Sequence, residues 1–297
     1  MLDSLMYHYV IAPEDKFGDR KGCSTTEFEH HVASSASDFN VLDGQELSNL
    51  KICDQTPENR QMVFTFDDGL AEHYFNVAPI LEKYGCKGFF FVPTEIFEGK
   101  LLKVHKLHII LSVFGSQTVQ FLTAKLKKFD IPEPQISEDV VRKAYRWDVM
   151  EIARAKYILN YVIDHETSDQ MLSQIVTDYI GSESEIAKEF YMSPDQMIEL
   201  QSRGHVIGGH SHRHVPLTSL GPLAKEDISK CLNILNSYLG PTEFFSFPYG
   251  KKSTFNAQHI TQLKSEGVKN VFTTEVGSGY LGQDRFALKR TDPKDHF

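Results

Sequence analysis

After residue 60 the chain alternates short apolar runs with helical patterns, and that alternation restricts it to a parallel sheet covered by helices. QMVFTF (61–66) has strand length and composition, EHYFNVAPILEKYG (72–85) has helical periodicity closed by Gly85, and CKGFFFVPT (86–94) is a second strand. A further unit starts at SPDQMIELQSRG, where Ser193 caps a helix, Pro194 suits its first turn, Gln196 completes a capping box and Gly204 ends it. The strand HVIGG comes next, then a helix over about 223–239, the strand EFFSFPYG, a helix over about 254–266, the strand VKNVFTT and a last strand RFALKRT. Residues 101 to about 190 break the rhythm. VHKLHIILSVF, AYRWDVMEIARAKYILNYVI and SDQMLSQIVTDYI are helical with no strand between them, and FDIPEPQISED reads as an exposed connector inside this insertion.

The net charge of -9 argues against nucleic acid and anionic membrane surfaces as partners. No run reaches the roughly 18 apolar residues of a membrane span, so stable membrane insertion is not expected. The opening MLDSLMYHYV lacks a basic region and a cleavage site, and the four cysteines (Cys23, Cys53, Cys86 and Cys231) have no metal or redox spacing, so a cytoplasmic protein is expected.

The chemistry concentrates at strand ends. VFTFDDG sets Asp67 and Asp68 at the end of an apolar run, where ionised groups need a cation or a partner. GGHSHRH places His210 and His214 four residues apart, a spacing that on a helical turn puts both imidazoles on one face and leaves His212 about 200° away from His210. Strand ends of a parallel α/β barrel form one rim, so a carboxylate and the two histidines can meet there. Two histidines and one carboxylate with open positions form a catalytic ligand set for a divalent metal, zinc in particular, and leave the other aspartate free to act as base.

TFDDG, HSHRH and SFPYG, in that order, resemble the motifs of the polysaccharide deacetylases, carbohydrate esterase family 4, over about residues 60–95 and 190–297. The resemblance implies a distorted (β/α) barrel of α/β class, a single domain over 1–297 with the helical insertion at about 101–190. It implies Asp67 as catalytic base, Asp68, His210 and His214 as metal ligands, and the backbone amide of Tyr249 as an oxyanion donor. MLDSLMYHYV is similar to the first barrel strand of relatives, with His8 either facing the site or held in the core. Ser246 replaces the family's usual arginine beside the catalytic aspartate. Arg290, in LKRTDPKDH, resembles the arginine of the Leu-Pro-Arg-x-Asp ending of deacetylases in surface-glycan biosynthesis; it is either the substitute or a surface arginine paired with Asp292. The family's late Leu-x-His, which supplies the general acid, has no clear counterpart, and His296 stands nearest to it. The implied reaction is metal-dependent removal of an N-acetyl group from an amino sugar in a nucleotide-linked or lipid-linked surface-polysaccharide precursor. A related deformylase or amidase, or a silent glycan-binding protein, would keep the same ligand set; retention of Asp67, which the metal does not need, favours an enzyme.

Overall fold

The structure, a computed structural model, describes residues 2–17, 20–50, 60–128, 135–145, 148–278 and 285–297. Two compact units divide it, one over 1–15, 21–98 and 188–297, the other over 16–20 and 99–187. In the first unit the strands are β1 (Leu2–Tyr7), β2 (Val10–Ile11), β3 (Cys23–Ser24), β4 (Asn40–Val41), β5 (Gln61–Phe66), β6 (Gly88–Val92), β7 (Val206–Gly209), β8 (Phe244–Ser246) and β9 (Asn270–Phe272). The main sheet runs β1-β5-β6-β7-β8-β9, parallel throughout, with β4 beside the first residues of β5; β2 and β3 pair separately. With helices between successive strands, this parallel sheet forms a distorted (β/α) half-barrel.

Every residue of β5 and β6 is buried, which is why both read as unbroken apolar runs rather than alternating ones. Side chains still alternate between faces. Val63, Phe89, Phe91, Phe244 and Phe272 join Leu2 and Leu288 in one cluster, completed by Leu42, Leu47 and Leu50. Phe64, Phe66 and Tyr7 instead pack on Phe28 of the helix Thr25–Asp38. That helix carries an unforced start signal, the Ser24/Glu27 capping box. The capping box of Pro194–Ser202 forms as its sequence predicts, between Ser193 and Gln196.

The expected last strand, RFALKRT, is not one. Leu288 makes a single parallel bridge to Phe272 of β9, and Thr291 a single bridge to Leu5 of β1. Thr273 N donates to Leu288 O at 2.8 Å, and Thr291 N to Ser4 O at 2.8 Å. A segment that changes neighbour within three residues cannot build a ladder with either, yet it links the two edges of the sheet and carries Arg290 across the gap.

The second unit contains the helices Lys103–Phe114, Thr118–Lys128, Glu138–Ala144, Met150–Tyr157, His165–Tyr179 and the start of Glu183–Phe190, and no strand among its described residues. Its buried Lys106 is neutralised by Asp169 at 2.7 Å and also donates to Ser173 at 2.8 Å. The connector's residues 129–134 lie outside the described residues. No helix among the described residues is long and apolar enough to cross a membrane.

The two glycines that lead to His210 are set by close packing. A Cβ on Gly208 would lie 2.7 Å from the Phe91 ring and 2.8 Å from Phe244 O. Gly208→Ala is therefore expected to destabilise the protein by about 1–3 kcal/mol through overpacking, read as a lowered midpoint in thermal unfolding of the intact chain.

Candidate active site

The parallel strands bring their carboxyl ends to one rim, where five of them or their extensions supply polar groups. Tyr7 pairs with Phe66, so His8 and Asp67 leave the sheet side by side, and Asp67 N donates to Tyr7 O at 3.1 Å. Val92 pairs with Gly209, and His210 N continues that ladder to Val92 O at 3.1 Å. Ser246 ends β8, and Thr273 lies just past β9.

Asp67 and Asp68 have different hydrogen-bond partners, although His210 Nε2 lies near both, 3.9 Å from Asp67 Oδ2 and 3.5 Å from Asp68 Oδ1. Asp67 is 1% exposed and Arg290 grips it with both ends of the guanidinium: Nη1 donates to Oδ1 at 2.8 Å and Nη2 to Oδ2 at 2.6 Å. Arg290 is itself 1% exposed, so it is no surface arginine paired with Asp292. Its remaining donors go to Thr273 O (2.8 Å), Thr65 Oγ1 (3.2 Å) and Ser246 Oγ (2.9 Å). Ser246 thus does not leave the arginine's place empty: its small hydroxyl makes room for a guanidinium arriving from the other side. Burial alone would push the Asp67 carboxyl up, but the guanidinium, together with His210, holds it down at about 2.

Asp68 faces the histidines. Its Oδ1 lies 3.1 Å from His214 Nε2 and 3.5 Å from His210 Nε2, and the three donor atoms fall within 4.8 Å of one another. His210 Nδ1 donates to Ser246 O at 2.7 Å, which fixes the tautomer and leaves Nε2 with its lone pair toward Asp68. Burial keeps this imidazole neutral, with its pKa pushed down to about 4. His214 is pulled the other way: burial would lower it, but Asp68 beside it raises it. A buried carboxylate and two imidazoles converging on one point fit a divalent cation, and their donor chemistry suits zinc.

The histidine pair meets by a different route from the one its spacing suggests. Residues 210–216 are not helical; Ser211 (φ 62°) and His214 (φ 51°) are left-handed, and Ser211 Oγ accepts from His214 N at 3.1 Å. The buried carboxylate of Asp227, in the first turn of the helix Ala224–Leu239, holds this loop by accepting from His212 N at 2.8 Å and Arg213 N at 3.2 Å. His212 points away, to Thr94 Oγ1 at 2.9 Å and Glu98 at 3.3 Å. Among the described residues the non-glycine positions with positive φ are Asp68, Ser211, His214 and Tyr249, all within this site. Such strain persists only where surrounding structure imposes it.

Tyr249 (φ 61°) is 40% exposed, its ring tilted against His214 at 5.4 Å and its carbonyl accepting from Thr274 Oγ1 at 2.6 Å. His8 is exposed at the rim, which corrects the core placement considered for it. His296 is not brought to the site. Its ring packs on Phe39, adjoining β4, and β4 pairs with the first residues of β5, whereas Asp67 comes after the last. Thr65, Thr273 and Asp227 have no motif signal: each is an ordinary residue recruited by position.

A model of the family described as polysaccharide deacetylase matches residues 54–145 and 161–271, more than half of the chain. A curated Bacillus subtilis (strain 168) relative named for that family, YxkH, is 30% identical over 92 residues, 31% of this chain and 31% of that protein. Among solved structures, the deacetylase PplD of Streptococcus pyogenes, in complex with acetate, is similar with a TM-score of 0.59 at 16% identity, covering 98% of this chain and 91% of that one. IcaB from Ammonifex degensii is similar with a TM-score of 0.56 at 18% identity, over 98% and 91%. At these identities the structures share the fold.

If the three converging side chains hold the metal, zinc content measured by atomic absorption should collapse in Asp68→Asn, His210→Ala and His214→Ala and stay at the wild-type level in His212→Ala.

Proposed function

The chain belongs to the polysaccharide deacetylase family, and from that membership we propose that it hydrolyses the N-acetyl group of an amino sugar in a surface-polysaccharide precursor. The observation that carries this reading is the division of labour between adjacent aspartates: Asp67 is locked on Arg290, while Asp68 turns to His210 and His214. A pure metal site would need only the second arrangement.

Asp68, His210 and His214 would hold zinc, which supplies Lewis acidity, polarising the amide carbonyl and making a water in the site acidic enough for a weakly basic carboxylate to take its proton. Asp67 is that carboxylate. Arg290 keeps it ionised and aims it, leaving the oxygen lone pairs not used by the guanidinium for the incoming proton. The Tyr249 amide donates to the oxyanion of the tetrahedral adduct. Its left-handed backbone gives the peptide an orientation that an ordinary strand extension would not. The departing amine needs a proton, and His8, exposed beside Asp67 and outside the ligand trio, would supply it. Acetate, the small molecule bound in the Streptococcus pyogenes neighbour, would be one product. The carrier is nucleotide or lipid, in keeping with the likeness of the Arg290 segment to deacetylases of surface-glycan biosynthesis.

Asp67→Asn should slow acetate release about 100-fold or more, the range for a lost general base, with zinc content unchanged. Arg290→Lys, which keeps the charge but not the two-pronged grip, should slow it too, again with zinc retained. Both are read by acetate release from nucleotide-linked and lipid-linked N-acetyl sugars beside metal analysis of the same preparations. Loss of zinc in Asp67→Asn would assign that residue to the ligand set.

A further inference from the structure

The chain leaves the main sheet at Tyr7, the last residue of β1 with a partner in β5, so no ladder of that sheet fixes the next residue, His8, at the rim. Within the segment His8–Val10, Tyr9 O accepts from Cys23 N of β3 at 3.0 Å, and the backbone groups of His8 and Val10 are gripped by side chains from one turn. His73 Nε2 donates to His8 O at 2.7 Å, Glu72 Oε1 accepts from Val10 N at 2.5 Å, and Asn76 Nδ2 donates to Val10 O at 2.9 Å. Both backbone groups of Val10 are thus satisfied by side chains of residues only a few positions past Asp68. That turn, His73–Val77, is a π-helix, with Ala78 N bonded to His73 O, a wide form frequent at functional sites.

His73 is built for this one bond. It is fully buried between Phe66 and Phe90, at ring distances of 5.5 and 5.8 Å, and burial pushes its pKa down to about 4, so the ring is neutral. With the proton committed to Nε2, Nδ1 has no hydrogen-bond partner among the described residues. A buried histidine whose second nitrogen is left unsatisfied costs stability, and a phenylalanine would pack there without that cost. His8 in turn adjoins Asp67 where the β1–β5 ladder ends, and lines a cavity of about 240 Å³ with Tyr7, Tyr9, Lys21, Asp292 and Lys294.

We propose that Glu72, His73 and Asn76 are positioning residues that tie the His8 segment to the aspartate loop, so that the His8 imidazole and the Asp67 carboxylate meet a substrate as one rigid pair. The functional half of this inference rests on the deacetylase reading; the mechanical half does not, and the two are tested separately. The mechanical readout is amide hydrogen exchange of Val10 by NMR in the zinc-loaded protein. His73→Phe, which fills the same space without the donor, should speed it about tenfold or more, and His73→Gln, whose amide can reach the same carbonyl, should restore protection. The functional readout is acetate release from N-acetylglucosamine oligomers and from the nucleotide-linked and lipid-linked sugars. His73→Phe should lower kcat about tenfold with KM and zinc content within about twofold, and should cause no further loss in a His8→Ala background. Additive losses in that cycle, or Val10 exchange unchanged in His73→Phe, would overturn the proposal. Should His73→Phe fail to fold, Asn76→Ala removes the grip on Val10 O and carries the same expectations. A wild type that releases no acetate while Val10 is protected as expected would overturn the deacetylase reading and leave the clamp standing.

Discussion

The site depends on one buried ion pair, the guanidinium of Arg290 on the carboxylate of Asp67. Two charges at 1% exposure are expensive to remove from water, and a pair of this kind rarely adds net stability over apolar side chains of the same volume. It is tolerable because every part of it is satisfied. Thr65, Ser246 and Thr273 take the guanidinium hydrogens that Asp67 does not. Those residues come from the ends of β5, β8 and β9, so the arginine reads the alignment of three strands at once. Removing either charge would leave the other buried and uncompensated, a loss of about 3–5 kcal/mol in comparable cases. A structure that accepts that exposure to mutation gains a carboxylate held ionised and in one orientation.

Backbone strain serves the same end. Asp68, Ser211, His214 and Tyr249 occupy left-handed conformations that cost of order 1–3 kcal/mol each for a side chain other than glycine. Three of the four turn a side chain or peptide toward the same point, and Ser211 shapes the loop between the two histidines. Asp227, buried under that loop, and Ser246 O, behind His210, are the supports that keep the strained arrangement from relaxing. The rim is therefore preorganised by groups that stand behind the converging side chains.

Much of this was legible from residue order. Unbroken apolar runs such as GFFFV mark strands buried on both faces, the Ser193/Gln196 box marks a helix start, and the sequence-derived ligand trio does lie together. Other features were hidden for identifiable reasons. The histidine pair converges through left-handed loop residues, a geometry that i, i+4 spacing does not distinguish from a helical turn. RFALKRT has strand composition but too short a stay beside either neighbour to become one. EHYFNVAP reads as ordinary helix, and nothing local reveals that its first turn widens to reach Val10. Thr65, Thr273 and Asp227 acquire their roles only when distant strands are brought side by side. Arg290 could be nominated from its motif but not distinguished from a surface residue, because its burial is a property of the gap between β9 and β1.

The adjacent aspartates are assigned different partners, a cation for Asp68 and Arg290 for Asp67, and the rest of the mechanism stands on that division. An anomalous difference map from crystals of the zinc-loaded protein tests it most directly. The expected result is one peak at about 2.0–2.2 Å from Asp68, His210 Nε2 and His214 Nε2, with the Asp67 carboxylate still held by both ends of the Arg290 guanidinium and outside the coordination sphere. A peak coordinated by Asp67, or a zinc site elsewhere with this trio bare, would contradict it.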